Sequence, residues 1–132
     1  MNPITEDMKD LLEAAGVGTF NKNSAGGWTV RVGSEQPAPP DASITLYDTG
    51  GPAPLYLFDG ADRYYPRFQV RVRGDKNGYL SAYAKAEEVI AALARIAPQT
   101  INGTWYVGVW QQTGITHIGY DEERRPLFTI NF

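Results

Sequence analysis

The chain carries few of the side chains that catalysis usually needs. His117 is its only histidine, so a serine–histidine–aspartate triad would have to use it. None of the serines lies in a Gly-x-Ser-x-Gly motif, which presents the nucleophile of many hydrolases at a sharp turn. The chain has no cysteine, which excludes a thiol nucleophile, disulfide bonds and thiolate metal sites. We therefore expect no catalytic residue and interpret His117 as an ordinary residue of a predicted strand.

Metal and phosphate sites have equally little support. The acidic residues are scattered without EF-hand spacing, and a single imidazole cannot supply a histidine-rich metal site. The glycine clusters at 16–18, 26–27 and 50–51 lack a Gly-Lys-Ser/Thr ending, and no predicted helix begins directly after them. These clusters predict turns, and we expect no metal, no cofactor and no enzymatic activity.

Composition and charge indicate one globular domain spanning residues 1–132, with 42% hydrophobic residues and a net charge of −3. That net charge is too small for bulk attraction to nucleic acid or to an anionic membrane. The first seven residues contain no secretion signal and no apolar run is long enough to span a membrane, so we expect a soluble protein made inside the cell. Residues 1–62 sum to −6 and the remainder to +3. This asymmetry is satisfied either within one fold or between neighbouring copies.

A row of basic residues occupies a segment that contains a single acid, Asp75. It comprises Arg63, Arg67, Arg71, Arg73 and Lys76. Three interpretations remain open: a solvated sheet face, ion pairs between subunits, or contact with the phosphates of passing nucleic acid.

A second notable feature is surplus aromatic surface outside the predicted core. Tyr56, Phe58, Tyr64 and Tyr65 lie in a long predicted loop, and Trp110 lies near a strand end. These residues either extend the core or form a protein–protein interface, where tyrosine and tryptophan are common. Under the interface hypothesis, the candidate contact residues are Tyr56, Phe58, Tyr64, Tyr65, Arg67, Arg71, Arg73 and Trp110.

Hydrophobic periodicity predicts the elements that position these residues. Apolar residues at helical spacing predict helices over about 4–15 and 79–97, the second ended by Pro98. Period-two alternation predicts that Phe68, Val70 and Val72 face the core while Arg67, Gln69, Arg71 and Arg73 form a basic face. Further strands are predicted over 28–32, 44–48, 104–112, 115–120 and 127–132.

The predicted order of elements is α-β-β-β-α-β-β-β, with a proline-rich connector over 33–43 and a loop of about a dozen residues ending at Arg63. The residues of 104–112 are apolar on both faces, which favours a central strand or one whose second face lies in an interface. We predict an α+β fold: a mostly antiparallel sheet with two helices packed on one face.

Four segments, in this order, resemble the phage minor capsid or tail terminator family of long-tailed phages. They are Pro40-Asp41 with Ile44 to Gly51, Gln69 to Gly74, Gly119-Tyr120-Asp121, and Arg125 to Phe132. The resemblance covers nearly the whole chain. It implies a small α+β protein that assembles into a ring, typically of six subunits, at the junction between a non-contractile tail tube and the head completion proteins.

The resemblance also implies partners and a location. The partners would be further copies of the chain, the tail tube protein and a head completion or neck protein, with genomic DNA passing through the lumen without sequence-specific binding. The protein would be made in the host cytoplasm and reside in the virion. The connector and the loop over 49–63 would meet other subunits or the tube, and no catalytic residue is implied.

Competing hypotheses differ in class. Another ring of the same stack, such as a neck or head completion protein, or a minor tail or capsid protein, would fit the same residues. A small hydrolase or nucleotide-binding enzyme would need a nucleophile–base pair or a phosphate loop, and a nucleic-acid-binding module would need a net basic domain.

Overall fold

The computed structural model describes residues 2–21, 26–37, 40–58, 60 and 62–132. Within them lie two helices and eight strands. Pro39 of the predicted connector lies outside the described residues. The elements are α1 (Ile4–Ala14), β1 (Thr19–Phe20), β2 (Thr29–Val32), β3 (Ser43–Gly50), β4 (Arg67–Arg73), α2 (Tyr79–Leu93), β5 (Gln99–Ile101), β6 (Thr104–Tyr106), β7 (Thr116–Tyr120) and β8 (Pro126–Asn131).

A six-stranded mixed sheet, in the order β1-β2-β3-β4-β8-β7, forms the body of the protein. The first three strands are parallel, and the pairs β3–β4, β4–β8 and β8–β7 are antiparallel. The strands β5 and β6 form a separate antiparallel pair. The predicted α+β class and the predicted terminal hairpin are confirmed, whereas the two short strands β1 and β5 were not predicted.

One face of the sheet and both helices enclose the core. Strand register places Ile44 opposite Val72 and Leu46 opposite Val70, and all four are fully buried. Helix α1 packs on β2, β3 and β4, while α2 packs on β4 and β8. The side chains of Met8, Leu12, Ala82, Ala86, Val89 and Leu93 complete this cluster. The alternation read from β4 therefore identifies the core face correctly.

Helix α2 ends at Leu93, four residues earlier than predicted. A proline disfavours helical backbone at the residue before it and its ring collides with the carbonyl four residues earlier, so Pro98 prevents the helix from continuing through Ala94 to Ala97. Across the described part of the chain, no helix is long and apolar enough to cross a membrane.

The strand predicted over 104–112 is wrong in length and in position. Strand β6 stops at Tyr106 and pairs with β5, not with the main sheet. Asn102 and Gly103 both have positive φ and form a two-residue hairpin turn. This turn fixes the register of the hairpin, in which Ile101 pairs with Thr104 and Gln99 with Tyr106. Pro98, just before β5, has no backbone N–H to donate, so the pairing of the hairpin ends at Gln99 and Tyr106. Residues 107–115 therefore continue beyond the hairpin without a partner in β5.

The prediction that Arg73 belongs to an exposed basic face is also wrong. Arg73 is 1% exposed, because the proline-rich connector between β2 and β3 crosses that face of the sheet and covers it. Its guanidinium donates hydrogen bonds to the carbonyl oxygens of Asp41, Gln36 and Pro40 at 2.7, 2.6 and 3.2 Å. Burial, together with the nearby charge of Arg125, lowers the pKa of Arg73. Arg73 is therefore an anchor for the connector.

A second buried guanidinium, that of Arg125, completes the anchor. It donates to the carbonyl oxygen of Pro37 at 3.1 Å and to the carboxylates of Asp41 and Asp121 at 3.0 and 2.6 Å. Burial opposes the charge of Arg125, but the hydrogen bond and charge of Asp121 outweigh it and raise the pKa. Arg73 and Arg125 thus fix the connector through directed hydrogen bonds, as expected for a planar group with five donors.

We expect Arg73→Met to lower the free energy of unfolding by about 3 kcal/mol, because three carbonyl oxygens of the connector lose a charged donor that is itself buried. Arg67→Met is the matched control, since Arg67 lies on the same strand but is exposed, and its effect should stay within about 0.5 kcal/mol. Urea denaturation measures both variants. Equal stabilities would show that the anchor contributes nothing.

Two substitutions in α2 test which of its residues face the core. Leu93 is fully buried whereas Leu80, also in α2, is 81% exposed. We expect Leu93→Asp to cost at least about 4 kcal/mol and to prevent stable folding, because it buries an unpaired carboxylate. Leu80→Asp should melt within a few degrees of the unchanged chain in circular dichroism. A cooperative, unshifted melt of Leu93→Asp would contradict the packing described above.

Candidate functional site

A wide cleft lies between the loop that joins β3 to β4 and the segment over 102–112. Its volume is about 1500 Å³, larger than the roughly 300–1,000 Å³ of common small-molecule sites. Aromatic residues are the largest group in the lining, and we call this surface the aromatic cleft. Its principal residues are Pro52, Pro54, Tyr64, Tyr65, Pro66, Trp105, Val107, Trp110 and Phe132.

Four of the predicted contact residues line this cleft: Tyr64, Tyr65, Arg67 and Trp110. Trp105 and Val107, which are 62% and 66% exposed, were not among the predicted contact residues, although one of the two interpretations of 104–112 placed a face of that strand in an interface. An apolar run next to an Asn-Gly turn could also have indicated an exposed hairpin. The structure thus brings together residues from two segments about 40 positions apart in sequence.

The floor of the cleft is formed where the chain's last residue joins the sheet. Phe132 exchanges two backbone hydrogen bonds with Phe68, at 2.9 and 3.1 Å, and so extends the pairing of β8 with β4. The two rings stack with their centroids 5.1 Å apart. Because both residues are buried, they give the exposed aromatics above them a rigid apolar base.

A hydrogen-bonded clasp holds the wall that carries Trp105. The carboxylate of Asp7, on α1, is fully buried and accepts hydrogen bonds from the hydroxyl of Tyr106 and, at 2.8 Å, from the side-chain amide of Asn102. Asn102 also donates to Asp10 at 2.8 Å. Burial and the hydrogen bond to Asp7 raise the pKa of Tyr106. We call these four residues the Asp7 clasp.

The burial of Asp7 departs from the helical spacing of α1. Asp7 lies outside the apolar stripe that Ile4, Met8, Leu11 and Leu12 form, yet its side chain is buried beside the β5–β6 hairpin. No local pattern could have revealed this, because Tyr106 is 99 residues away in sequence. The clasp therefore depends on tertiary contact alone.

Two more predicted contact residues, Tyr56 and Phe58, lie outside the cleft, on the tip of the same loop. Leu55 and Arg63 close the base of this tip with two backbone hydrogen bonds, at 2.8 and 2.9 Å. Tyr56 is 69% exposed and Phe58 is fully exposed. We call residues 55–63 the aromatic arm, of which Asp59 and Ala61 lie outside the described residues.

The remaining two predicted contact residues lie on the face of the sheet away from the helices. Arg71 is half-buried, with its guanidinium 5.6 Å from the ring of Tyr47, and Arg73 is the buried anchor described above. Burial raises the pKa of Tyr47. The eight predicted contact residues therefore do not form one surface: they divide among the cleft, the arm and this polar face.

The chemistry of the cleft suits binding. Its charged side chains, Asp48, Asp62, Arg63 and Arg67, lie among aromatic and proline residues. Throughout the described ranges, no group of three or more His, Cys, Asp or Glu side chains is arranged to hold a metal ion. A large, open, aromatic groove with a few charges is typical of a surface that binds a polypeptide segment.

One comparison with known proteins gives a match. A family model described as "Bacteriophage tail terminator protein" matches residues 11–132, nearly the whole chain. A search of curated proteins gives no match. The matched region includes the aromatic cleft apart from residues at its N-terminal edge, and it includes the whole aromatic arm.

The clasp is tested by Tyr106→Phe, which removes one hydroxyl. We expect the free energy of unfolding to fall by about 2 kcal/mol, because a buried carboxylate loses one of its donors. Tyr120→Phe is the control, since Tyr120 is 53% exposed and its hydroxyl has no hydrogen bond to another described residue. Identical denaturation curves for Tyr106→Phe and the unchanged chain would contradict the clasp.

The same pair of proteins yields a test at alkaline pH. Since the pKa of Tyr106 is raised on folding, the unfolded chain loses this proton first, and stability falls as pH rises above about 10, the ordinary tyrosine pKa. Between about pH 9 and pH 11, Tyr106→Phe should lose less stability than the unchanged chain. The urea concentration at the midpoint of unfolding, determined at each pH, measures this loss for both proteins. Parallel curves would mean that the hydroxyl does not titrate as described.

Proposed function

The chain belongs to the bacteriophage tail terminator family, and from that premise we propose that it is the structural protein that ends the tail tube and joins it to the head. The observation that carries this proposal is the family match, together with an aromatic cleft and an aromatic arm exposed on the same chain. In this proposal the protein acts by binding and catalyses no reaction.

A tube of identical subunits needs such a protein for a geometrical reason. Each added ring presents the same growing end as the one before it, so nothing in the tube itself defines where growth stops. Growth ends when a different protein binds that end and exposes a surface that tube subunits cannot use. A small domain with two different exposed surfaces meets this requirement.

The exposed surfaces support an assembly role. Leu55, Tyr56, Phe58, Trp105 and Trp110 are each at least half exposed. Large exposed apolar surface is uncommon on monomeric proteins and often marks a site of protein association. In contrast, the polar face is closed by the connector around Arg73, so it offers less surface to a partner.

The proposed partners are further copies of the chain in a closed ring of six, the tail tube protein, and a head completion or neck protein. Genomic DNA would pass through the lumen. A net charge of −3 favours passage over retention, because tight nonspecific binding of DNA depends on neutralising many phosphates with basic side chains.

Deleting the gene provides the test. We expect DNA-filled heads without joined tails, together with free tubes of irregular and often excessive length, because nothing stops polymerisation. Tube lengths are measured in electron micrographs and compared with those after complementation by the unchanged gene. Complementation by the Leu93→Asp variant, whose core should not fold, is the negative control.

Two other outcomes of the deletion would contradict the terminator role and favour a different one. Tubes of normal length that remain unattached to heads would favour a neck or head completion ring over a terminator. Tails of uniform length still joined to heads would contradict both roles and favour a minor protein elsewhere in the virion.

A further inference from the structure

The chain contains two Asn-Gly dipeptides, Asn77-Gly78 and Asn102-Gly103. In such a pair the backbone nitrogen of the glycine can attack the carbon of the asparagine carboxamide. A cyclic succinimide forms and ammonia leaves, and water then opens the ring to give aspartate or isoaspartate. Glycine has no Cβ, so its nitrogen approaches the carboxamide with the least steric hindrance. The sequence alone therefore marks both asparagines equally as sites of deamidation.

The Asp7 clasp opposes this reaction at Asn102. The carboxamide nitrogen of Asn102, which is the leaving group, donates hydrogen bonds to Asp7 and Asp10, each at 2.8 Å. Hydrogen bonds to a charged partner are about twice as strong as neutral ones, and ammonia cannot leave until both are broken. The two carboxylates also repel the negative charge that develops on the carboxamide oxygen during the attack. The clasp therefore holds the leaving group and disfavours the transition state.

No comparable contact holds the carboxamide of Asn77. Asn77 is exposed in the turn between β4 and α2, and its side chain forms no hydrogen bond with another described residue. Two neutral backbone hydrogen bonds hold this turn, from Gly78 to the carbonyl oxygen of Asp75 at 2.9 Å and from Asn77 to that of Arg124 at 3.1 Å. Asp75 and Arg124 are themselves exposed, so local opening of the turn costs less than opening the clasp. Such opening frees the Gly78 nitrogen to attack.

The two products would also differ in their effect on the fold. Helix α2 has no side-chain cap at Gly78 and no acidic residue in its first turn. A carboxylate at position 77 would lie just before this helix, where negative charge is favourable. A carboxylate at position 102 would instead remove a donor from the fully buried Asp7 and add a third negative charge beside Asp7 and Asp10. The fold therefore tolerates the modification at position 77 and not at position 102.

We propose that Asn77 is a site of spontaneous deamidation in the folded protein, and that the Asp7 clasp suppresses the same reaction at Asn102. The reactants are the chain and water, and the products are ammonia and a chain with one more carboxyl group. The modified chain gains one negative charge in the segment that joins β4 to α2. This proposal does not depend on the terminator role, because it rests on the contacts of the two carboxamides.

Incubation of the purified, folded chain at mildly alkaline pH tests the proposal. Peptide mapping by mass spectrometry gives the fraction of aspartate and isoaspartate at each position over time. We expect deamidation at Asn77 to be at least about tenfold faster than at Asn102, because only the second reaction must break charge-assisted hydrogen bonds. In concentrated urea these contacts are absent, and the two rates should become similar. A folded chain in which Asn77 reacts no faster than Asn102 would overturn the proposal.

Asp10→Asn tests whether the clasp is what protects Asn102. The side chain of Asp10 is 45% exposed, so this variant should fold, and it replaces one charged acceptor of the Asn102 carboxamide with a neutral one. We expect deamidation at Asn102 to become at least about threefold faster, while the rate at Asn77 stays unchanged. Glu13→Gln is the matched control, since it removes a charge from the same helix at a carboxylate that accepts from the amide of Phe20. An unchanged rate at Asn102 in Asp10→Asn would overturn the protective role of the clasp.

Variants that carry the products measure the consequence for stability. Asn77→Asp should melt at the temperature of the unchanged chain or slightly above it, because the new charge lies before the start of α2. Asn102→Asp should melt at least about 5 °C lower, because the buried Asp7 loses a donor and gains a charged neighbour. Circular dichroism measures both melts. Equal melting temperatures of the two variants would contradict the difference in tolerance between the two positions.

Discussion

The buried carboxylate of Asp7 is the interaction on which the exposed cleft depends. A carboxylate without water is stable only when donors surround it, and here the donors come from Tyr106 and Asn102 on the β5–β6 hairpin. That hairpin pairs with no strand of the main sheet. The hairpin also packs Ile101 and Tyr106 against the core, and the Asp7 clasp ties it to α1 and holds Trp105 at the rim of the cleft.

The fold separates stability from association. Stability comes from the core between the sheet and the two helices, and from Arg73 and Arg125, which close the opposite face with the connector. The exposed aromatic residues of the cleft gather at one end of the sheet, on the β3–β4 loop and on the segment that begins with the β5–β6 hairpin. Phe68, Val109 and Phe132 of the core line the cleft at this end, whereas Trp105 and Trp110 are exposed there.

Much of the body of the fold follows from local patterns in the sequence. The alternation of Phe68, Val70 and Val72 identifies the core face of β4, and the helical stripes locate α1 and the start of α2. What local patterns miss is decided by residues distant in sequence. Arg73 alternates as an outward residue, and only the connector that covers it makes it buried. Asp7 has the spacing of an exposed residue until the hairpin covers it. Of the candidate contact residues, four share the cleft, and no spacing rule could have separated them from Arg71 and Arg73.

The most direct test of the terminator role is a reconstruction of the tail-to-head junction in intact virions by electron cryo-microscopy. If the chain is the terminator, one closed ring of it lies on the head-proximal end of the tube, in contact with the last tube ring on one side and with a neck protein on the other. Density for this chain at the distal tip of the tail, along the tube or on the capsid surface would contradict it.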